Sequence, residues 1–189
     1  MIGVVWVIAA AMTIDPGISK KSDWLADKAQ RKDVVARVAP KTLPTPILTL
    51  HNVWTRESLP IALEGQRFAP VASFDELTRC HYTNQATAMD PRLIDTVVHA
   101  AAKFSARYVE VVSGFRAPKY QLMLRKKGHE VARDSEHPRG QAVDFRIPRV
   151  ATRTLLRFVK SLHLGGVGYY PESNFVHADV GRVRYWRGH

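Results

Sequence analysis

The 189-residue sequence holds one cysteine, Cys80, and only 17 acidic residues against 28 lysines and arginines. It has no apolar run long enough to cross a bilayer as a helix. A single thiol excludes an internal disulfide framework and any zinc site built from several cysteines. Leu77, Thr78 and Arg79 around Cys80 supply none of the usual surroundings of a nucleophilic thiol, so Cys80 reads as a small, half-buried residue. No internal repeat, helix-turn-helix or aromatic-basic RNA motif is visible, which argues for no nucleic-acid partner in spite of the charge. What is present is globular in character, with 46% apolar and 9% aromatic residues, enough for one modest domain plus extensions. The net charge of +11 favours anionic partners, among them anionic lipid and an acidic cell-wall polymer.

Residues 1–14 carry an uncharged apolar stretch of about a dozen residues that reaches the small-residue patch Ala9, Ala10 and Ala11. That is the length of a signal-peptide core, although no basic residues precede it. Export, or a membrane association through the N-terminus, is the expectation; a buried first helix is the alternative. Residues 15–46 are polar and basic, with Lys20, Lys21, Lys28, Arg31, Lys32 and Arg37 followed by Pro40, Pro44 and Pro46. They read as a tether containing one short helix around 23–38. The folded domain is expected over 47–189.

Within that domain, Ile47 to Trp54 alternates as a strand, with a turn at Thr55–Ser58. Asp90 followed by Pro91 marks a helix start. Ile94, Val97, Val98, Ala101 and Phe104 then recur at helical spacing and define a buried face. Strands are expected at 108–112, 141–147, 167–170, 175–179 and 183–186, and helices at 118–127 and 152–162. Helices come early and strands cluster late, so the fold class is α+β, a small antiparallel sheet flanked by helices.

The chemistry concentrates in two stretches. In the first, His137 sits in a loop bearing Gly140 and leads into a strand that carries Asp144 seven residues on. Strand alternation puts Ala142 and Asp144 on one face, with Val143 and Phe145 on the other. An aspartate among apolar neighbours is costly unless it meets a cation or a metal. In the second stretch, Phe175 to Asp179, alternation turns His177 and Asp179 to one side. Two histidines and a carboxylate on adjacent strands are the ligand set of a catalytic zinc site, with the fourth position left for water. These residues by themselves equally allow a capping Asp144 and a surface His137. His129 and His163 lie near helix ends and read as surface residues; His51, His81 and His99 have no evident partner.

The flanking residues go further. Ser113, Gly114, Phe115 and Arg116 come first, then Ser135, His137, Gly140, Ala142 and Asp144. Gly166, Val167, Gly168, Tyr169, Tyr170 and Pro171 follow, and then Phe175, Val176, His177, Asp179, Val180, Gly181, Arg182, Val183, Arg184 and Trp186. In this order they resemble the YcbK-like (MepK-like) murein endopeptidases. That group includes lysostaphin, the D-Ala-D-Ala metallopeptidases and the hedgehog signalling domain. The resemblance covers about 47–186, some three quarters of the chain, and leaves out the N-terminal residues.

The resemblance implies a hedgehog/D-Ala-D-Ala-peptidase-like fold and a Zn2+ held by His137, Asp144 and His177. It implies a peptidoglycan substrate, an envelope location (periplasmic or secreted) and a monomer. Ser135 matches a serine that contacts substrate. Arg116 matches an arginine that binds substrate and the developing oxyanion, a role a fixed guanidinium suits. Several relatives carry a glutamate three residues before the last histidine ligand, where this chain has Asn174. The expected catalytic base is therefore Asp179, in the His-x-Asp pattern, or Glu172; a ligand-orienting role is the alternative for Asp179. Murein endopeptidase is the expected activity. The alternatives are a D-Ala-D-Ala carboxypeptidase, an L-alanyl-D-glutamate peptidase, and a non-catalytic cell-wall-binding module that retains the metal.

Overall fold

The structure, a computed structural model, describes residues 48–61, 71–127 and 134–188; the apolar segment, the tether, Gly128 and His129 lie outside the described residues. All described residues belong to one compact unit, Pro44–His189. The elements in chain order are β1 (Leu48–Asn52), β2 (Ser58–Ile61), α1 (Val71–Leu77), α2 (Pro91–Lys103), β3 (Tyr108–Ser113) and α3 (Pro118–Lys126). A 3-10 turn (His137–Arg139) precedes β4 (Ala142–Arg146), α4 (Thr152–Ser161), β5 (Gly166–Tyr170), β6 (Phe175–Asp179) and β7 (Arg184–Arg187).

The α+β class holds, but the sheet is larger than expected and mixed. Its seven strands run in the order β2-β1-β3-β4-β6-β5-β7, with β1 parallel to β3 and β5 parallel to β7, and the other pairs antiparallel. Strand alternation in a sequence carries no direction. The parallel β1–β3 pair arises because two helices intervene between these strands and return the chain to the same end of the sheet. Two elements had no sequence signal. Strand β2 contains Pro60, which cannot donate to a ladder and is tolerated because β2 is an edge strand. Helix α1 has only 7 residues, too short to display a periodicity.

The start of α2 follows the expected chemistry. The Asp90 side chain accepts from Arg92 N at 3.0 Å, and Pro91 occupies the first turn. The apolar stripe of α2, with Leu93, Ile94, Val97 and Ala101, packs in one core with Val109, Val111, Val143, Phe145, Leu155 and Val176. Cys80 is fully buried, deeper than expected. Val143 and Phe145 of β4 and Val176 and Ala178 of β6 thus turn to the core. The alternate residues Asp144, His177 and Asp179 are also buried, with 2%, 6% and 3% exposure, so the opposite face of β4 and β6 is covered too. Among the described residues no helix is long and apolar enough to cross a membrane.

Gly140 closes the 3-10 turn in the left-handed region, with φ of 69°. A Cβ there would lie 2.3 Å from the Ala88 carbonyl oxygen, while Gly140 O accepts from Asp90 N at 2.9 Å. Backbone conformation and close approach therefore both require glycine. Gly140→Ala is expected to destabilise the domain by on the order of 3 kcal/mol, read as a lower urea midpoint at unchanged slope; an unchanged midpoint would contradict this account.

Candidate metal centre

Cross-strand register creates the centre. In the antiparallel β4–β6 ladder Asp144 stands directly opposite His177, and Ala142 opposite Asp179, so side chains on one face meet without any loop to place them. On the other side β3 pairs with β4 through an irregularity between Val111 and Ser113 that sets Ser113 opposite Asp144, a common device for re-aiming side chains beside a site. His137 arrives from the 3-10 turn. That turn is bound to the loop after β3, with Arg116 N donating to His137 O at 3.3 Å.

The histidine tautomers follow from their partners. His137 Nδ1 lies 2.6 Å from the Gly114 carbonyl, which only accepts, so Nδ1 carries the proton and Nε2 the lone pair. His177 lies between two carboxylates, with Nε2 3.0 Å from Asp179 Oδ2 and Nδ1 2.8 Å from Asp144 Oδ1, so a cation on the Asp144 side would take the Nδ1 lone pair and leave Nε2 to donate to Asp179. His137 Nε2 and His177 Nδ1 face each other at 3.2 Å. Asp144 adds Oδ1 at 2.8 Å from His177 Nδ1 and Oδ2 at 3.2 Å from His137 Nε2. Three buried groups able to ligate converge at one point, with the Arg116 guanidinium donating to Asp144 from the edge. Each residue offers one ligand atom, and all lie within 4.8 Å of one another. This donor set, two imidazoles and one carboxylate, fits a shared cation, and zinc above the harder, oxygen-preferring metals.

Electrostatics favour ligation at His137 and Asp144, whereas at His177 they favour the charged ring whose proton a metal would have to replace. Burial and the adjacent Arg116 charge push the His137 imidazole down to about 4, so the ring is neutral and free to ligate at neutral pH. Burial opposes ionisation of Asp144, but contacts with His137, His177 and Arg116 outweigh it and hold the carboxyl well below its usual range. For His177, burial disfavours the charged ring, and hydrogen bonds to Asp144 and Asp179 overcome it and raise its value.

Arg116 is fixed at the edge of the cluster. Its Nε donates to Ser113 Oγ at 3.0 Å, and its Nη2 donates to Asp144 Oδ2 at 2.6 Å and lies 3.1 Å from His137 Nε2. Ser135 is half-buried and lines the same groove.

The two expected base candidates sit elsewhere. Asp179 touches His177 on the ring edge turned away from Asp144. Its Oδ1 accepts from Gly166 N at 2.8 Å, Gly181 N at 2.9 Å and Arg184 Nη1 at 3.2 Å, while Oδ2 takes Arg184 Nη2 at 2.8 Å besides His177. Burial opposes its ionisation, but these donors hold its carboxyl far below the usual range. Glu172 lies at an exposed position and pairs with Arg187 at 2.9 Å. Asn174 occupies a left-handed turn between β5 and β6 with φ of 54°, and its Oδ1 accepts from Thr152 Oγ1 at the start of α4. His163 is exposed, as expected, whereas His81 stacks on Trp54 with ring centroids 4.9 Å apart.

The cluster opens into a groove of about 1070 Å³ whose lining runs from Trp54 and His81, past Arg116 and His137, to Trp186 and Gly188. Arg116, Lys127, Arg184 and Arg187 give it a basic character, with Asp134 and Glu136 as further acidic residues. Four contributors had escaped the sequence reading. The Gly114 carbonyl carries no side-chain signal. Arg184 clamps Asp179, and Trp186 packs 5.1 Å from the His177 ring. Glu136 lies beside a ligand in sequence. Arg184 and Trp186 were visible only as motif letters.

Comparison with known proteins gives the family of the chain. A family model described as peptidoglycan L,D-endopeptidase MepK matches residues 40–186. The chain is 38% identical over 147 residues to the probable peptidoglycan L,D-endopeptidase MepK of Haemophilus influenzae, covering 75% of this chain and 79% of that protein. It is 36% identical over 152 residues to peptidoglycan L,D-endopeptidase MepK of Escherichia coli strain K12, covering 77% and 84%. No solved structure matches significantly. With the family match spanning most of the chain, and with the resemblance of its motifs, the protein belongs to the MepK family of peptidases.

Proposed function

We propose that this protein is a zinc-dependent murein endopeptidase that hydrolyses peptide cross-links of peptidoglycan. The observation that carries the reading is the convergence of His137 Nε2, His177 Nδ1 and the Asp144 carboxylate, three buried groups that could hold one metal ion, at an open groove. The family membership and the names of the relatives support the same activity. Zinc bound by these three side chains would polarise the scissile carbonyl and acidify a water at its open position.

The chain's own residues do the rest. Gly114 O and Asp179 hold the two imidazoles in the ligating tautomer and orientation. Arg116, anchored by Ser113 and Asp144, places a fixed guanidinium where negative charge develops on the carbonyl oxygen. Ser135 contacts the substrate from the groove lining. Asp179 acts as a positioning residue, since both its oxygens are committed to backbone amides, Arg184 and His177. Glu172, paired with Arg187 away from the ligand atoms, lends that rim its charge balance.

The lining of the groove favours a polymer over a chain end, since it draws on residues after β1 and on β7, to either side of the strands β4 and β6 in the sheet order. A carboxypeptidase would instead close one end around a terminal carboxylate. Lys127 in the groove lining complements the carboxylates of stem peptides. We place the enzyme in the cell envelope, periplasmic or secreted and monomeric, with residues 1–14 as its export signal or anchor, 15–46 as the tether and 47–189 as the hedgehog/D-Ala-D-Ala-peptidase-like catalytic domain.

The test is digestion of purified sacculi with the zinc-loaded protein and identification of the soluble fragments by mass. Cross-linked dimers should disappear in favour of monomers, and a chelator should stop the reaction until zinc is restored. Release of terminal alanine alone would move the reading to a carboxypeptidase. Binding to sacculi with no fragment released would make it a metal-retaining binding module.

A further inference from the structure

One wall of the groove is built from rings that take no part in the metal centre. Trp54 stacks on His81 with centroids 4.9 Å apart and planes 16° from parallel. His81 meets Tyr120 edge-on at 4.9 Å, and Tyr120 stacks on Tyr82 at 5.1 Å and 17°. The two ends of this row stay open to solvent, Trp54 at 59% exposure and Tyr82 at 50%. Trp54, His81 and Tyr120 line the same groove as Arg116 and His137.

The row is rigid before any ligand arrives. Buried Asn52 accepts from Trp54 N at 2.9 Å and Thr55 N at 3.1 Å, and its amide nitrogen donates to Leu77 O at 2.7 Å. The turn carrying Trp54 is thereby tied to the end of α1. The indole N–H is already given to Val112 O at 2.9 Å. What Trp54 offers to solvent is therefore a flat apolar face and no free donor. Exposed aromatic surface next to a groove, preorganised in this way, is characteristic of recognition surfaces.

We infer that this row is a carbohydrate subsite, taking a pyranose ring of the glycan strand from which the cleaved stem peptide hangs. The inference rests on the endopeptidase reading for its choice of ligand. Within peptidoglycan the peptide side chains are small or charged, and only the sugar rings present a flat face of C–H groups to match an indole. The subsite separates the substrate into two parts: the peptide lies across the basic floor by Arg116, and the saccharide lies against the aromatic wall.

The experiment titrates peptide-free glycan strands into the full-length protein and into Trp54→Ala, Trp54→Phe and Tyr82→Ala, with circular dichroism confirming the fold of each. The wild type should bind, Trp54→Ala should bind about tenfold more weakly, a loss of roughly 1.4 kcal/mol, and Trp54→Phe should recover most of the loss. Tyr82→Ala, at the other end of the row, should weaken binding in the same direction. In kinetics, Trp54→Ala should raise KM for a disaccharide-bearing cross-linked dimer about tenfold more than for the sugar-free peptide dimer, with kcat little changed. Absence of glycan binding by the wild type would overturn the inference, as would equal losses on the two dimers, which would make the row a peptide surface. If the wild type binds glycan but cleaves neither dimer, the endopeptidase reading fails while the carbohydrate subsite stands.

Discussion

Asp144→Asn is expected to lower hydrolysis of sacculi by roughly 10³-fold or more, the several kcal/mol of transition-state stabilisation that a catalytic metal supplies. The substitution keeps the size of the side chain and removes its charge. The two imidazole nitrogens would then face each other at 3.2 Å with only a neutral amide to complete the ligand set. Arg116 would lose its ionic partner at 2.6 Å, keeping the Ser113 hydroxyl and the His137 ring as neutral contacts. The loss should appear first in metal content after gel filtration, independently of any assay, and excess zinc should restore little of the rate. Asp144→Glu should do little better, because the longer side chain carries the carboxylate past the register position opposite His177. A variant that keeps stoichiometric zinc and the wild-type rate would remove Asp144 from the ligand set.

Asp179→Asn discriminates between the two roles open to that residue. As a positioning residue it should lower zinc affinity and activity together by about 10–100-fold, the usual cost of losing the partner that orients a ligating histidine. It should also destabilise the fold by on the order of 3 kcal/mol, because an amide cannot satisfy Gly166 N, Gly181 N, His177 and Arg184 with one oxygen. The decisive readout is the pairing of metal content with the pH–rate profile. Were Asp179 the proton acceptor, zinc content would stay full, kcat alone would fall, and the acid limb of the profile would vanish. The geometry places Asp179 against the far nitrogen of His177, so parallel loss of zinc and rate is the expected result. Arg184→Met should reproduce part of the effect by releasing Asp179 from its clamp.

Much of this was readable before any coordinates. The Asp90–Pro91 pair predicted the start of α2, and the apolar spacing from Ile94 to Phe104 predicted its buried face, since both are local properties of a helix. The strands carrying Asp144 and His177 were legible for the same reason, through alternation of period two. What escaped was non-local or too short. Sheet order and the two parallel pairs depend on which strands meet after the helices have returned the chain. Strand β2, with its proline, and the short helix α1 carry no pattern that distinguishes them from loop. His81 had no partner in sequence because its neighbours Trp54 and Tyr120 come from the turn after β1 and from helix α3, brought together at one groove wall.

For the site, residue types and spacing made His137, Asp144 and His177 a possible ligand set and placed Asp144 and His177 on definite faces of their strands, while the resemblance of the flanking motifs singled the three out. Those choices are local, since a side chain's face follows from its position along the strand. Which nitrogen of each histidine faces the cluster was visible only in the tertiary structure, with Gly114 O at His137 Nδ1 and Asp179 at His177 Nε2. So were the partners of Asp179. From sequence it shares a face with His177 and could point to the same chemistry, but in the fold its oxygens meet Gly166, Gly181 and Arg184, donors supplied by β5, the loop after β6 and β7. Hydrogen-bond partners across a sheet are set by the order and register of its strands, and that order is a property of the folded chain as a whole.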